Sequence, residues 1–177
     1  MLNRILVYGL VAGLVVAVPM FATVLGWRGD GDPPSALIGY TIMLVALSLV
    51  FVAVKRHRDV AQGGVIKFFP ALGMGLAISV VAGIIYVIAW ELTLAVSGFD
   101  FAGKYAEHLI AQQRAKGVAG EALAAFEAEM AAFKASYANP LFRMPMTFVE
   151  IFPVGAFVSL ISAALLRNSR FLPPRRE

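Results

Sequence analysis

The sequence predicts an all-α membrane protein: a four-transmembrane-helix bundle with an extracytoplasmic helical hairpin between helices three and four. Hydrophobic residues make up 60% of the 177 residues and charged residues only 15%, whereas about a quarter of a soluble domain is charged. The apolar residues fall into four long runs, and the section before the last run is polar and alanine-rich. The length suits a single integral membrane domain, residues 1–177.

Each apolar run is long enough to cross a bilayer, which takes about 20 residues of α-helix. The first run is longer than the apolar region of a signal peptide, so we interpret it as a retained helix. In this run Gly9 and Gly13 form a small-xxx-small pair that allows another helix to approach closely, and Pro19 predicts a kink. The predicted spans are residues 5–26, 36–54, 71–96 and 144–166.

The connections between the runs predict the topology. Residues 27–35 (WRGDGDPPS) are rich in Gly, Asp and Pro and are predicted to form a turn, with Trp27 as an interfacial anchor. Residues 55–69 hold four Lys or Arg against one Asp, and we interpret them as a basic loop in which His57 is solvated. The tail, residues 167–177, carries four arginines and is expected to be largely disordered. Because basic segments stay in the cytoplasm, both termini are predicted to be cytoplasmic.

Residues 97–142 differ in character from the four runs and are predicted to form two antiparallel helices outside the membrane. Asp100 is a suitable N-cap for a first helix that ends near Lys116. A second helix is predicted from Glu121 to Tyr137, where the Asn139–Pro140 break follows it. Apolar residues recur along this second helix at spacings of three and four, as in a heptad seam: Leu123, Phe126, Met130, Phe133 and Tyr137.

Two acidic residues, Glu91 and Glu150, lie inside apolar runs, where an ionised side chain is costly unless it has a partner. With the predicted topology they reach similar depths near the outer ends of helices three and four. Arg143 lies seven residues before Glu150, on the same helix face, so one guanidinium is expected near two carboxylates. Helical spacing from Glu91 leads back to a face that we expect to meet another helix: Val87, Ile84, Val80, Ala77 and Gly73. The candidate neighbours of the acids are Tyr86, Trp90, Thr147 and Pro153.

Three interpretations of Glu91, Glu150 and Arg143 stay open at this point. They form a polar clasp that fixes helix packing, or a proton or cation site in a small carrier, or part of a docking surface for a protein partner at the outer hairpin. The first and third describe a non-enzymatic structural or partner-binding component. The second describes a small coupled carrier or transporter subunit, which would need to oligomerise to form a conduit.

Other functional classes lack their sequence signatures. No HExxH motif, nucleophile–base pair or glycine-rich phosphate loop is present, so we expect no catalytic residues and no enzyme. No histidine or third acid is placed to complete a metal site with the two carboxylates, and we expect no cofactor. The formal charge of +4 sits mainly beside the ends of apolar runs. It therefore indicates contact with the lipid bilayer rather than with nucleic acid.

Several segments also resemble a known family. They are IMLVALSLVFVAVKRHRD, the GGVIKF that follows it, YVIAWE at the end of helix three, and NPLFRMPMTFVEIFPVG with SLISA in helix four. In this order they resemble the bacterial membrane family catalogued as domain of unknown function 4199 (DUF4199). The resemblance implies a four-span protein of the bacterial inner membrane with an extracytoplasmic segment before the last helix. It implies no activity.

Overall fold

The computed structural model describes residues 1–27 and 35–173, and within them the regular structure is entirely α-helical. The predicted turn at residues 28–34 and the end of the tail, residues 174–177, lie outside the described residues. The helices in chain order are α1 (Leu2–Trp27), α2 (Ala36–Leu47), α3 (Leu49–Ala61), α4 (Phe68–Ser97), α5 (Phe101–Ala115), α6 (Gly120–Tyr137) and α7 (Pro140–Leu166).

Four helical stretches in the described chain are long and apolar enough to cross a membrane: Leu2–Thr23, Leu37–Ala61, Phe68–Ser97 and Pro140–Leu166. The second stretch consists of α2 and α3, which are separated only at Ser48. The Ser48 hydroxyl donates to the Val45 carbonyl at 2.6 Å, a local contact of the kind that bends helices. The prediction of an all-helical chain with four apolar crossings is confirmed.

The second crossing continues further than the predicted limit of residue 54. The charged segment KRHRD, predicted to begin a loop at Lys55, is helical, and α3 ends only at Ala61. Lys55 and Asp59, four residues apart, form an ion pair at 2.5 Å that supports the helix. Hydropathy identifies only the end of the apolar run, at residue 54, whereas the helix continues to Ala61.

The last crossing begins at Pro140, four residues before the predicted start at residue 144. The Asn139 side chain accepts a hydrogen bond from the Leu141 N–H at 3.0 Å, and Pro140 occupies the first helical turn, where its missing N–H does no harm. Pro145 therefore lies inside α7, beyond its first turn. Pro153 also lies inside this helix.

Helix α4 packs between α1 and α7, and its contact with α1 depends on two glycines. A Cβ added at Gly9 would lie 2.6 Å from the Val81 Cβ, and one added at Gly13 would lie 2.6 Å from the Ile85 Cβ. Such distances are too short for carbon atoms, so the backbones approach at these positions because no side chain is present. The predicted role of Gly9 and Gly13 is confirmed.

The contact between α4 and α7 uses a reciprocal pair of small residues. A Cβ at Gly75 would meet Ser159, and a Cβ at Gly155 would meet Ser79. The two serine hydroxyls lie 3.3 Å apart, and both serine residues are almost fully buried. Small residues of this kind allow helices in a membrane to pack closely without a large apolar side chain between them.

The face of α4 that we expected to meet another helix is instead largely open. Val80 and Ile84 are 38% and 48% exposed, and a Cβ at Gly73 would meet no atom. The buried residues of α4 lie on the adjoining faces, towards α1 and α7: Ile78, Ser79, Ala82, Gly83, Tyr86 and Trp90. That prediction is wrong. Helical spacing from Glu91 identifies which residues share a face of α4, but it does not identify which face the neighbouring helices cover.

Helices α5 and α6 contact each other and are joined by two ion pairs. Lys134 Nζ lies 2.7 Å from Asp100 Oδ2, and Arg114 Nη2 lies 2.6 Å from Glu127 Oε1 at the other end. The side chain of Asp100 caps α5 by accepting from the Gly103 N–H at 2.9 Å, as predicted. The seam residues of α6 are half-buried, and Tyr137 at its end is buried.

The basic end of α3 is hydrogen-bonded to the C-terminal segment. Arg58 is fully buried and donates to the carbonyls of Phe171 and Leu172 at 2.9 and 2.6 Å. His57, expected to be a solvated loop residue, is also buried and lies 3.3 Å from an Arg4 nitrogen. We expected a largely disordered tail, but the part of it that precedes residue 173 is held against α3.

Candidate functional site

Arg143 on α7 and Glu91 on α4 form a two-point ion pair. Arg143 Nε donates to Glu91 Oε1 at 2.7 Å, and Nη2 donates to Oε2 at 2.5 Å. Both side chains are largely buried, with 14% and 19% of their surfaces exposed. The planar guanidinium matches the carboxylate at two points, which gives the contact a defined geometry as well as charge neutralisation.

Tyr137, at the end of α6, joins this pair to the α5–α6 section. Arg143 Nη1 donates to the Tyr137 carbonyl at 3.0 Å, and the guanidinium carbon lies 5.6 Å from the centre of the Tyr137 ring, in cation–π range. Trp90 Nε1 donates to the Tyr137 hydroxyl at 2.7 Å. Burial raises the pKa of Tyr137 to about 12, so its phenol is neutral. We call Glu91, Arg143, Tyr137 and Trp90 the lock.

Aromatic rings surround the lock and continue into α5 and α6. The Phe101 ring packs edge-on against Trp90 at 5.1 Å and stacks on Tyr105 at 5.8 Å. Phe133 packs against Tyr137 at 5.5 Å. Contacts of this type contribute beyond the burial of area alone, and here they fix α5 and α6 to the end of α4.

Glu150 lies apart from the lock. The Tyr86 side chain lies close to the Glu150 carboxylate. Within the described chain, neither Arg143 nor any other Lys or Arg forms an ion pair with Glu150. Glu91 is therefore neutralised within the protein, whereas Glu150 has only a polar neighbour.

Glu150 and Tyr86 line a cavity of about 830 Å³. Residues of α1, α2, α4, α5, α6 and α7 line it. Its lining is mainly apolar and aromatic, and includes Met20, Met43, Trp90, Tyr105, Phe133 and Tyr137. A volume of this size falls within the range of small-molecule sites in proteins, roughly 300–1,000 Å³.

The residues singled out from the sequence thus divide into two groups. Trp90 belongs to the lock together with Arg143 and Glu91, while Tyr86 lies next to Glu150. Thr147 is buried, donates to the Arg143 carbonyl at 3.0 Å and also lines the cavity. Pro153 is exposed on α7 and contributes to neither group.

Sequence reasoning missed the part played by Tyr137 and the cavity. Tyr137 appeared only as the last residue of the α6 seam, and its position one short break before Arg143 was the available signal. The cavity depends on how six helices are arranged around it, which no local pattern encodes. Among the described residues, no group of three His, Cys, Asp or Glu side chains is arranged to hold a metal ion.

Comparison with known proteins gives one match. A family model described as a protein of unknown function, DUF4199, matches residues 7–168. No curated protein and no solved structure matches the chain.

Proposed function

The chain belongs to the DUF4199 family of proteins of unknown function, and we propose that it is a non-enzymatic structural or partner-binding component of the bacterial inner membrane. The lock is the observation that carries this proposal. It joins α4 and α7 to the end of α6 through Tyr137, and so fixes the α5–α6 section relative to the crossings. A fixed external section is what a docking or scaffolding role requires.

The chemistry of the lock favours a structural role for Glu91. Both carboxylate oxygens accept from Arg143, and the third contact of the guanidinium is with a backbone carbonyl. A bidentate pair of this kind occupies both carboxylate oxygens in one defined geometry. Glu91 is thus poorly suited to pass protons or cations.

We further propose that both termini are cytoplasmic and that α5 and α6 form an extracytoplasmic hairpin on a four-helix bundle. Arg4 contacts His57, and Arg58 contacts the carbonyls of Phe171 and Leu172. The basic start, the basic end of α3 and the basic tail therefore lie together, and the positive-inside rule assigns that end to the cytoplasm. With the basic end in the cytoplasm, the α5–α6 section would lie on the extracytoplasmic side.

The outer surface of the hairpin is the proposed contact site for a protein partner. Lys116 and Glu129 are exposed on it, and exposed charges at an interface mainly determine which partner binds and how fast. The test compares the wild-type protein with a Lys116→Glu/Glu129→Lys variant, which keeps the net charge. Lys67→Glu, at an exposed position beyond α3, is a control for a change of surface charge at the opposite end.

The measurement is the size of the tagged protein after mild detergent extraction from its native membrane, compared with the same protein purified alone. We expect a larger particle from the native membrane, reduced by the double variant and unaffected by the control. A native particle no larger than the purified one, or one that the double variant leaves intact, would contradict docking at the hairpin. The purified protein also shows whether the chain forms a homo-oligomer.

A second candidate, a small proton- or cation-coupled carrier or transporter subunit, is favoured by Glu150 in the cavity. Of the two acids within apolar helices that such a carrier could use, Glu91 is paired with Arg143, whereas Glu150 lacks a cationic partner in the described chain. Intramembrane acids often belong to ion pathways. In liposomes, Glu150→Gln should then abolish ion flux with the folded yield intact. A silent change, or one that only lowers the yield, would remove this candidate.

A further inference from the structure

We propose that the cavity binds a small organic cation with an apolar body, such as an ammonium or phosphonium group that carries hydrophobic substituents. The Glu150 carboxylate would pair with the positive charge, and the aromatic and apolar lining would enclose the rest. The site is separate from the lock's ion pair. Binding requires neither a protein partner at the hairpin nor transport.

The charge of Glu150 is the first step of the argument. Its side chain is exposed and lines the cavity, at a position about 15 Å from the start of α7 at 1.5 Å per residue. A carboxylate at this depth needs a proton or a cation to balance it. Since Arg143 is paired with Glu91, a bound cation would supply the balance that the described chain does not provide.

The aromatic lining is the second step. Trp90, Tyr105, Phe133 and Tyr137 line the cavity, and the faces of aromatic rings attract organic cations, most strongly in Trp. Sulfur-containing Met20 and Met43 add flexible apolar surface that adapts to ligands of different shape. A carboxylate beside aromatic rings favours a lipophilic cation over a neutral hydrocarbon, which would leave the carboxylate without a partner.

Other occupants fit less well. A fatty acid or a phospholipid phosphate would place a second negative charge beside Glu150. A divalent metal needs more ligands than one carboxylate, and the described residues hold no group of three candidate ligands. A hydrophobic monocation satisfies both the charge and the apolar walls.

Tetraphenylphosphonium is a suitable probe, because the isosteric tetraphenylborate anion tests the effect of charge at constant shape. Binding to the purified full-length protein in detergent is measured by titration calorimetry. We expect saturable binding of the cation and at least tenfold weaker binding of the anion. Glu150→Gln should weaken cation binding by about tenfold or more, as expected when one partner of a desolvated charge pair is removed. Glu129→Gln, the same change on the exposed hairpin surface, should leave it unchanged.

Gly39→Phe provides a variant that keeps Glu150. Gly39 lines the cavity, and a Cβ there would meet no atom, so the added ring would occupy ligand space without disturbing helix contacts. We expect it to abolish cation binding. Equal binding of both ions, or cation binding that persists in both Glu150→Gln and Gly39→Phe, would overturn the proposal. So would a phospholipid that copurifies with the wild type, is lost from Gly39→Phe and excludes the cation.

Discussion

Arg143 pairs with Glu91 and not with Glu150, although Glu150 lies on its own helix and Glu91 is 52 residues away. All three guanidinium nitrogens of Arg143 donate within the lock, to Glu91 and to the Tyr137 carbonyl, so the two acids have different surroundings. Glu91 becomes part of a packing contact between α4, α6 and α7. The Glu150 carboxylate lines the cavity and has no ion-pair partner in the described chain.

This pairing predicts that loss of either charge of the lock destabilises the fold. Arg143→Gln or Glu91→Gln should lower the free energy of unfolding by about 2–3 kcal/mol, somewhat less than for a fully buried pair, because each leaves one charge without its partner. Reversible unfolding in mixed micelles gives the measurement. The double variant should cost less than the sum of the single ones, since the second change removes the charge that the first left unpaired.

Glu150→Gln is the matched control for that prediction. It neutralises a carboxylate on the same crossing, but no ion pair in the described chain depends on it. We expect it to change the free energy of unfolding by less than about 1 kcal/mol. Equal destabilisation by Glu150→Gln and Glu91→Gln would show that the ion pair is not the source of the effect.

Much of the fold was predictable because its signals are local or compositional. Apolar runs indicated four crossings, Gly9 and Gly13 indicated a close helix contact, and Asp100 indicated the start of α5. Each of these depends on one residue type at one position or on the average of a long segment. They do not depend on how one helix is rotated against the next.

The features that sequence reasoning missed depend on that rotation or on distant contacts. Spacing from Glu91 placed Val80 and Ile84 on the covered side of α4, while α1 and α7 cover the adjoining sides instead. Arg58 looked like a loop cation, yet its carbonyl acceptors lie more than 100 residues later, at Phe171 and Leu172. No local pattern predicts such a partner.

The close contact of α1 with α4 predicts that an added methyl group at Gly9 or Gly13 is harmful. In Gly13→Ala, the new Cβ would lie 2.6 Å from the Ile85 Cβ, so the helices must separate. Such overpacking costs about 1–3 kcal/mol, measurable by the same unfolding titration. Gly73→Ala on α4 is the control, because its Cβ would meet no atom and alanine favours a helix by up to about 1 kcal/mol. Similar effects at both positions would contradict the proposed contact.

The capping contact of Asp100 predicts a pH dependence in the α5–α6 section. A hydrogen bond from Lys134, followed by one from the Gly103 N–H, lowers the pKa of Asp100. A lowered pKa in the folded state means that the charged form stabilises the fold above the unfolded value, near pH 4. That contribution is lost as the pH falls through the lower folded value.

Two substitutions test this contact. Asp100→Ala should lower stability near neutral pH by about 1 kcal/mol, as for loss of an N-cap. Asp100→Asn keeps a cap but does not titrate, so the difference in stability between it and the wild type should shrink as the pH falls below about 4. A difference that stays constant over this range would show that the Asp100 charge contributes nothing.

The buried Arg58 predicts that one side chain holds the C-terminal segment against α3. Its two terminal nitrogens donate to the Phe171 and Leu172 carbonyls, and a lysine cannot reproduce this fork. Because the chain has no cysteine, a spin label at Ser169→Cys reports on this segment alone. Arg58→Gln and Arg58→Lys should both increase the mobility of the label, whereas Arg56→Lys, at an exposed position on the same helix, should not. An equally immobile label in all three variants would mean that other contacts, such as Phe171 against Phe51 at 6.4 Å, are sufficient to hold the segment.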